Sequence, residues 1–336
     1  MNELNAELIT AIVDIVSPIS LAALSHLKAT NDLWRLIGTT ELDNRAELHF
    51  KLKIEPLRSK KTRYQLFMRD KRTDDVYPLT FNEVVRDFPT KPFENIVIFD
   101  HDDERMGWPD IEDQEVKLPM KGRWVDQFAS SSRWERMSVQ KDIEIFKLAL
   151  KNGCDNFIFE ISEESSKHRA QLLYESVPDD VAFRKFYFNI CGKPVEKKDY
   201  KYVDFVQRMA ICPSIRYFSF GLGEDNPQRD SAIVKTLINN GRLPYLRFSN
   251  DNYRSYHSLV EIADFLVKEW KQSPEKFDDF TFMACNGNPM WQILYTFPIV
   301  IEGNIRALPH VNGKSKLIGY GYTKESIFRF KYNASD

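Results

Sequence analysis

The sequence predicts a mixed α/β (α+β) protein that begins with three short helices and continues with strands and helices in alternation. Apolar residues recur every three to four positions near the start, short apolar strands follow at intervals, and helical patterns lie between those strands. The 336 residues, 43% of them hydrophobic, suffice for one large domain or two smaller ones. We divide the chain into segments 1–40, 41–92 and 93–336.

The composition argues against several classes of protein. A formal net charge of -2 disfavours broad electrostatic binding to nucleic acid or to an anionic membrane. The four cysteines are widely spaced and form no C-x-x-C pair, so we expect no disulfide framework, no zinc site and a reducing intracellular compartment, cytoplasmic and/or nuclear. Asp14 interrupts the first apolar stretch and no basic residue precedes it, so we expect no secretory leader. No segment approaches the ~20 apolar residues of a membrane span.

The N-terminal helices carry a large apolar surface. The stripe of the first helix consists of Leu4, Leu8, Ile9, Ile12, Val13, Ile15 and Val16. Ser17 and Pro18 are typical of a helix start, and Leu21, Leu24 and Leu27 form the apolar side of a second helix. A third helix contains Trp34 and is expected to end at Gly38. Because about 40 residues cannot bury this much apolar surface alone, the excess faces either the rest of the chain or another protein.

The order of these residues resembles an F-box. The resemblance spans residues 4–35 and rests on Leu4-Asn5-Ala6-Glu7-Leu8-Ile9, Ile12, Ser17-Pro18, Leu21, Leu24-Ser25 and Trp34-Arg35. It implies docking onto a Skp1-like adaptor and, through it, a cullin ubiquitin ligase. The docking residues it implies are Leu4, Leu8, Ile9, Ile12, Pro18, Leu21, Leu24 and Trp34. Asn5 stands where the family has proline, so an F-box-shaped module that no longer binds the adaptor stays an alternative.

A strand–helix rhythm follows a first strand at residues 95–99. An apolar-x-apolar strand signature recurs at Phe157, Phe186, Phe218, Leu246 and Phe280, in steps of 29, 32, 28 and 34 residues. Helical patterns lie between these strands, and two of them end at Gly153 and Gly241. This repetition predicts a solenoid, although a wound α/β sheet would also alternate strands and helices.

The repeat region resembles an irregular leucine-rich-repeat array with Phe in place of most Leu. Together with the F-box-like start, it resembles the divergent F-box-like proteins expanded in nematodes. That resemblance implies a non-catalytic substrate receptor of a ubiquitin ligase, with no cofactor.

Residues that alternate with the apolar signature point to the opposite side of each strand. They are Ile158, Glu160, Tyr187, Asn189, Tyr217, Ser219, Arg247, Ser249, Thr281 and Met283. In a horseshoe they would form an exposed concave face that binds a protein substrate. The alternative is ordinary strand surface.

Two charged stretches offer rival functions. Residues 51–72 carry nine Lys or Arg against two acids, and residues 100–115 carry eight acids against one Arg. The first predicts a basic docking patch, or else solvated loops and strand edges. In the second, Asp100 and Asp102 follow an apolar strand, as in metal-dependent hydrolases, so a metal-dependent hydrolase is the enzyme alternative; an acidic solvated loop is the other interpretation. The six histidines are scattered and no catalytic motif is present, so we predict no enzyme and no metal site.

Overall fold

A computed structural model describes residues 6–16, 18, 21, 32–54, 62–99, 135–137, 139–162, 167–191, 201–223, 225–241, 244–248, 256–285, 290–321 and 325–332. It has the mixed α/β class that the sequence predicts. The chain divides into two compact units. Unit 1 comprises residues 1–98 and 102–156, and unit 2 comprises residues 99–101 and 157–336. No helix in the described ranges is long and apolar enough to cross a membrane.

Unit 1 is built from helices and a mainly antiparallel sheet. Its helices are α1 (Ala6–Ile15), α2 (Asp32–Arg45), α3 (Phe81–Asp87) and α4 (Val139–Lys151). Its strands are β1 (Ala46–Lys53), β2 (Thr62–Asp70), β3 (Val76–Leu79), β4 (Phe93–Phe99) and β5 (Glu135–Met137). The strand order is β4-β1-β2-β3, and β5 also pairs with β2. β1 and β2 form an antiparallel pair that runs from Ala46 opposite Asp70 to Lys53 opposite Arg63.

The alternation of β1 divides its side chains between two sides of this sheet. Leu48, Phe50 and Leu52 lie on one side and are fully buried. The ring centroids of Phe50 and Phe146 are 6.5 Å apart, which places α4 against that side. The core of unit 1 therefore lies between α4 and the apolar side of the β1–β2 pair.

Unit 2 combines a parallel series of strands with an antiparallel one. Its strands are β6 (Cys154–Ser162), β7 (Phe183–Cys191), β8 (Tyr217–Gly221), β9 (Tyr245–Phe248), β10 (Thr281–Cys285), β11 (Ile299–Glu302), β12 (Ile305–Pro309), β13 (Ser315–Gly321) and β14 (Glu325–Tyr332). Its helices are α5 (Lys167–Ser176), α6 (Lys201–Ala210), α7 (Pro227–Asn239), α8 (Tyr256–Gln272) and α9 (Met290–Leu294). The order is β6-β7-β8-β9-β10-β14-β13-β12-β11. β7 to β10 are parallel, and the strands beyond β10 pair antiparallel.

The described helices of unit 2 cover one side of its strands, which we call the phenylalanine face. Its first row is Phe186, Phe218, Leu246 and Phe282, side by side across β7 to β10. The ring of Phe205, on α6, lies 5.7 Å from that of Phe186, and Trp270 of α8 lies 6.1 Å from Phe330 of β14. α7 packs against both α6 and α8, so these helices form one layer.

Several local predictions are confirmed and others are wrong. α4 and α7 end just before Gly153 and Gly241, whose φ values of 78° and 61° fit the left-handed turn that glycine favours. The predicted end at Gly38 is wrong, since α2 continues to Arg45. The buried positions Trp34, Gly38 and Leu42 keep helical spacing along it. Of the second predicted helix, the described part of the chain contains Pro18 and Leu21.

The predicted signature residue of the last repeat is also wrong. Phe282, and not Phe280, stands in the phenylalanine row. The chain makes a 3₁₀ turn at Pro274–Phe277 and reverses at Asp279, whose φ is 52°, so β10 begins two residues later than expected. Phe280 packs instead against Phe330, with ring centroids 5.6 Å apart. Strands β11–β14 were not predicted from the sequence.

Candidate interaction surfaces

The first candidate surface lies on α1 and α2. The two helices pack on each other, and both send apolar side chains inward. Ile9 and Val13 of α1 are buried, as are Trp34 and Leu42 of α2. Leu21 is buried too. Some residues of the predicted apolar stripe are therefore buried in the interior of unit 1.

A buried ion pair ties these helices to the β1–β2 pair. Arg45, the last residue of α2, donates from Nε to Asp70 Oδ1 at 3.2 Å and forms a second bond to Oδ2. Its Nη1 also donates to the carbonyl oxygens of Val13 at 3.3 Å and Val16 at 3.0 Å. The guanidinium thereby satisfies carbonyls at the C-terminus of α1, which otherwise lack partners.

The pKa values of this pair shift in the directions that favour charge. The hydrogen bond to Asp70 raises the pKa of Arg45. Burial alone would raise the pKa of Asp70, but hydrogen bonds from Arg45 and from the backbone N–H of Arg72 outweigh it and lower that pKa. Both groups are therefore ionised when the protein is folded at neutral pH.

The same two helices also present apolar side chains outward. Leu8 and Ile15 on α1 are 48% and 86% exposed, and Leu33 and Leu36 on α2 are 37% and 66% exposed. We call these four residues the outer helix surface. Leu8 and Ile15 are seven residues apart and Leu33 and Leu36 three apart, so each pair lies on one side of its helix.

The residues implied by the F-box resemblance are distributed unevenly. Leu4 and Leu24 lie outside the described residues. Ile9, Pro18, Leu21 and Trp34 are buried, Ile12 is half-buried and Leu8 is exposed. Ile15, Leu33 and Leu36 were not among the implied docking residues, although their helical spacing was visible in the sequence.

The second candidate surface is the side of the unit 2 strands opposite the phenylalanine face, which we call the second face. The predicted substrate-binding residues lie there by strand alternation. Ile158, Tyr187, Tyr217, Ser219 and Met283 are buried, and Glu160, Asn189, Arg247 and Thr281 are half-buried. Ser249 lies outside the described residues. The second face is therefore a packed surface from which a subset of side chains emerges.

Strand register orders the second face into two rows. The first row runs from β7 to β14 and consists of Lys185, Tyr217, Tyr245, Thr281 and Arg329. The second row consists of Tyr187, Ser219, Arg247, Met283, Ile327 and Tyr320. Three tyrosines connect the rows: the ring centroids of Tyr187 and Tyr217 are 4.8 Å apart, and those of Tyr217 and Tyr245 are 4.5 Å apart.

The part of this face on β13 and β14 was missed from sequence. Lys316, Arg329 and Lys331 lie on it, and Arg329 and Lys331 are exposed. The Arg329 guanidinium carbon lies 5.6 Å from the ring centroid of Tyr320. The alternation in Ser326-Ile327-Phe328-Arg329-Phe330-Lys331 was the available signal.

Some residues were considered in the sequence for metal binding or for cysteine reactivity. Asp100 and Asp102 lie outside the described residues, and the described ones contain no group of three or more His, Cys, Asp or Glu able to hold a metal ion. Burial raises the pKa of the Cys154 thiol, which fits the packing role expected from its position before a strand. Comparison with protein-family models, curated proteins and solved structures gives no match for this chain.

Proposed function

We propose that this chain is a protein-interaction adaptor, the substrate-recognition subunit of a Skp1–cullin–F-box type ubiquitin ligase. In this proposal α1 and α2 dock on a Skp1-like adaptor, and the strand–helix region holds a protein substrate. The outer helix surface carries the proposal, because it adds accessible apolar side chains to a segment whose residue order resembles an F-box.

The energetics of the outer helix surface support docking. Covering a fully exposed Leu or Ile side chain contributes about 1.5–3 kcal/mol. The four side chains are partly exposed, so covering them together contributes on the order of 5 kcal/mol. The buried sides of α1 and α2 and the Arg45–Asp70 pair hold the helices in place, which lowers the ordering cost that a partner must offset. An apolar helix surface of this kind suits a hydrophobic groove on a partner.

We also propose that β6–β10 and their helices form an irregular leucine-rich-repeat-like array. Two features support this arrangement: the strands follow each other in chain order, and the packed helices α6 to α8 form one layer. A wound α/β sheet instead places helices on both of its faces. An array would leave the second face available to a substrate.

The adaptor proposal is tested by co-purification with a Skp1-like adaptor. Leu8→Asp combined with Leu36→Asp places two charges on exposed positions, so we expect adaptor capture to fall at least 10-fold with an unchanged circular-dichroism spectrum and melting temperature. Val85→Asp is the matched control, because Val85 is 44% exposed on α3 of the same unit. Leu21 is buried and is unsuitable for this test. Equal capture by the double variant, or no capture by the wild type, would overturn the proposal.

A further inference from the structure

The second face carries more positive than negative charge. Among the side chains that the structure describes in strands β6 to β10, β13 and β14, its cations are Lys185, Arg247, Lys316, Arg329 and Lys331, and its carboxylate is Glu160. The whole chain has a formal net charge of -2. The sign of this face is therefore opposite to that of the protein, which marks it as a local feature.

The cations at the β13–β14 end are arranged unfavourably for the sheet alone. Lys316 and Lys331 are direct partners in the antiparallel ladder, and like charges directly opposite each other are destabilising. Arg329 lies two residues from Lys331, on the same side. None of the carboxylates whose side chains the structure describes forms an ion pair with Lys316, Arg329 or Lys331. An anionic partner would neutralise the positive charges that the neighbouring strands leave unbalanced.

Tyrosines lie on the second face between Lys185 of β7 and Arg329 of β14. The Tyr187 and Tyr217 rings are buried and form a packed floor, while Tyr245 and Tyr320 are half-buried beside the cations. The Tyr245 hydroxyl donates to the sulfur of Met283 at 3.3 Å, which fixes the ring. Tyr and Arg, together with Trp, are enriched at the centres of protein interfaces.

The first row indicates how long a polypeptide segment must be to span the second face. Lys185 and Arg329 are four strand spacings apart, which is about 19 Å at ~4.8 Å per spacing. An extended polypeptide covers this distance with about six residues at ~3.3 Å each. Acidic residues at the two ends of such a segment would meet the two cations, with its middle over Tyr245 and Thr281.

We infer that the second face of unit 2 binds an extended acidic polypeptide segment across its strands. The inference rests on the proposed function in that it names the chemical class of the substrate. Its evidence is the charge and register of the second face and the exposure of Arg329 and Lys331, which do not depend on the N-terminal helices. Charge complementarity of this kind sets the rate and specificity of encounter and weakens with added salt.

The test uses the full chain and fluorescein-labelled poly-L-glutamate, with binding followed by anisotropy at low salt. Arg329→Glu combined with Lys331→Glu should weaken binding at least 10-fold. Lys235→Glu combined with Lys268→Glu, on exposed positions of α7 and α8, is the matched control and should change binding less than 2-fold. The double variant on β14 should fold normally, because Glu at position 331 would face Lys316 and the melting temperature should stay equal or rise.

Three results would overturn the inference. They are absence of poly-L-glutamate binding by the wild type, equal binding by the β14 double variant, and tighter binding of an oligothymidylate that shows the same sensitivity to charge reversal. The last result would make this face a nucleic-acid site. Adaptor capture is measured on the same variants and should be unchanged, so a failure here is distinguishable from a failure of the adaptor proposal.

Discussion

The sheets of both units carry cationic side chains on one side, and the two sets differ in their surroundings. In unit 1, Lys51, Lys53 and Arg69 are buried, and Arg69 pairs with Glu47 at 3.2 Å and with Asp74. In unit 2, Arg329 and Lys331 are exposed and form no ion pair with a described carboxylate. Arg69 is therefore held by carboxylates of its own unit, whereas Arg329 and Lys331 belong to the proposed binding surface.

The apolar residues of the N-terminal helices are likewise divided into buried and exposed ones. Ile9 and Leu8 are adjacent in sequence, yet the first is buried against unit 1 and the second is half exposed. Consecutive residues of an α-helix are rotated by about 100° around its axis, so one stripe of side chains packs in the interior and the neighbouring stripe faces outward. Burial, and not residue type, separates the structural residues from the candidate docking residues.

The largest effect should come from breaking the buried pair in unit 1. Asp70→Ala leaves the Arg45 guanidinium buried without its carboxylate, so we expect a loss of about 3–5 kcal/mol in the free energy of unfolding. Urea denaturation followed by circular dichroism measures it. Arg329→Ala, at an exposed cation of unit 2, should change the same quantity by less than about 0.5 kcal/mol. Similar values for the two variants would remove the distinction between the two sets of cations.

A smaller effect should appear as pH dependence in unit 1. His49 is buried, accepts a hydrogen bond from Asn95 at 2.9 Å and stacks on Phe67. Burial first, and then the positive charge of Arg69 and of neighbouring lysines, lowers the pKa of His49 to about 3. An unfolded histidine binds a proton near pH 6.5, so the unfolded state binds more protons between pH 6.5 and 3. Stability is therefore lost as pH falls through this window.

Between pH 7 and pH 5 this group alone should cost the wild type about 2 kcal/mol. His49→Gln keeps an acceptor but cannot titrate, so its free energy of unfolding should fall less over the same range. Unfolding curves at the two pH values give the comparison. Parallel losses in the wild type and His49→Gln would contradict the assignment.

Sequence periodicity was sufficient to predict much of the fold but not to predict which side chains are buried. The strand–helix alternation from β6 to β10 and the helix ends at Gly153 and Gly241 follow from local patterns. The length of α2 does not, because bonds between Arg45 and residues distant in sequence support its last turn. The register of Phe282 depends on a turn at Asp279 with positive φ, which single-residue patterns do not reveal.

The candidate surfaces were predicted only in part, because sequence periodicity does not show which side chains become buried. Alternation places the described second-face residues on one side of the strands, but it carried no information on which would be buried. The basic stretch 51–72 was expected to be a docking patch or solvated edges. Lys51, Lys53 and Arg69 are instead buried on the β1–β2 pair, where long-range pairing supplies their surroundings.

The most direct test of the proposed function is amide hydrogen exchange of the full chain with and without a purified Skp1-like adaptor. Exchange reports protection along the whole backbone. We predict slower exchange in α1 and α2 when the adaptor is present, with β13 and β14 unchanged. Unchanged exchange in α1 and α2, or protection confined to β13 and β14, would contradict docking through the outer helix surface.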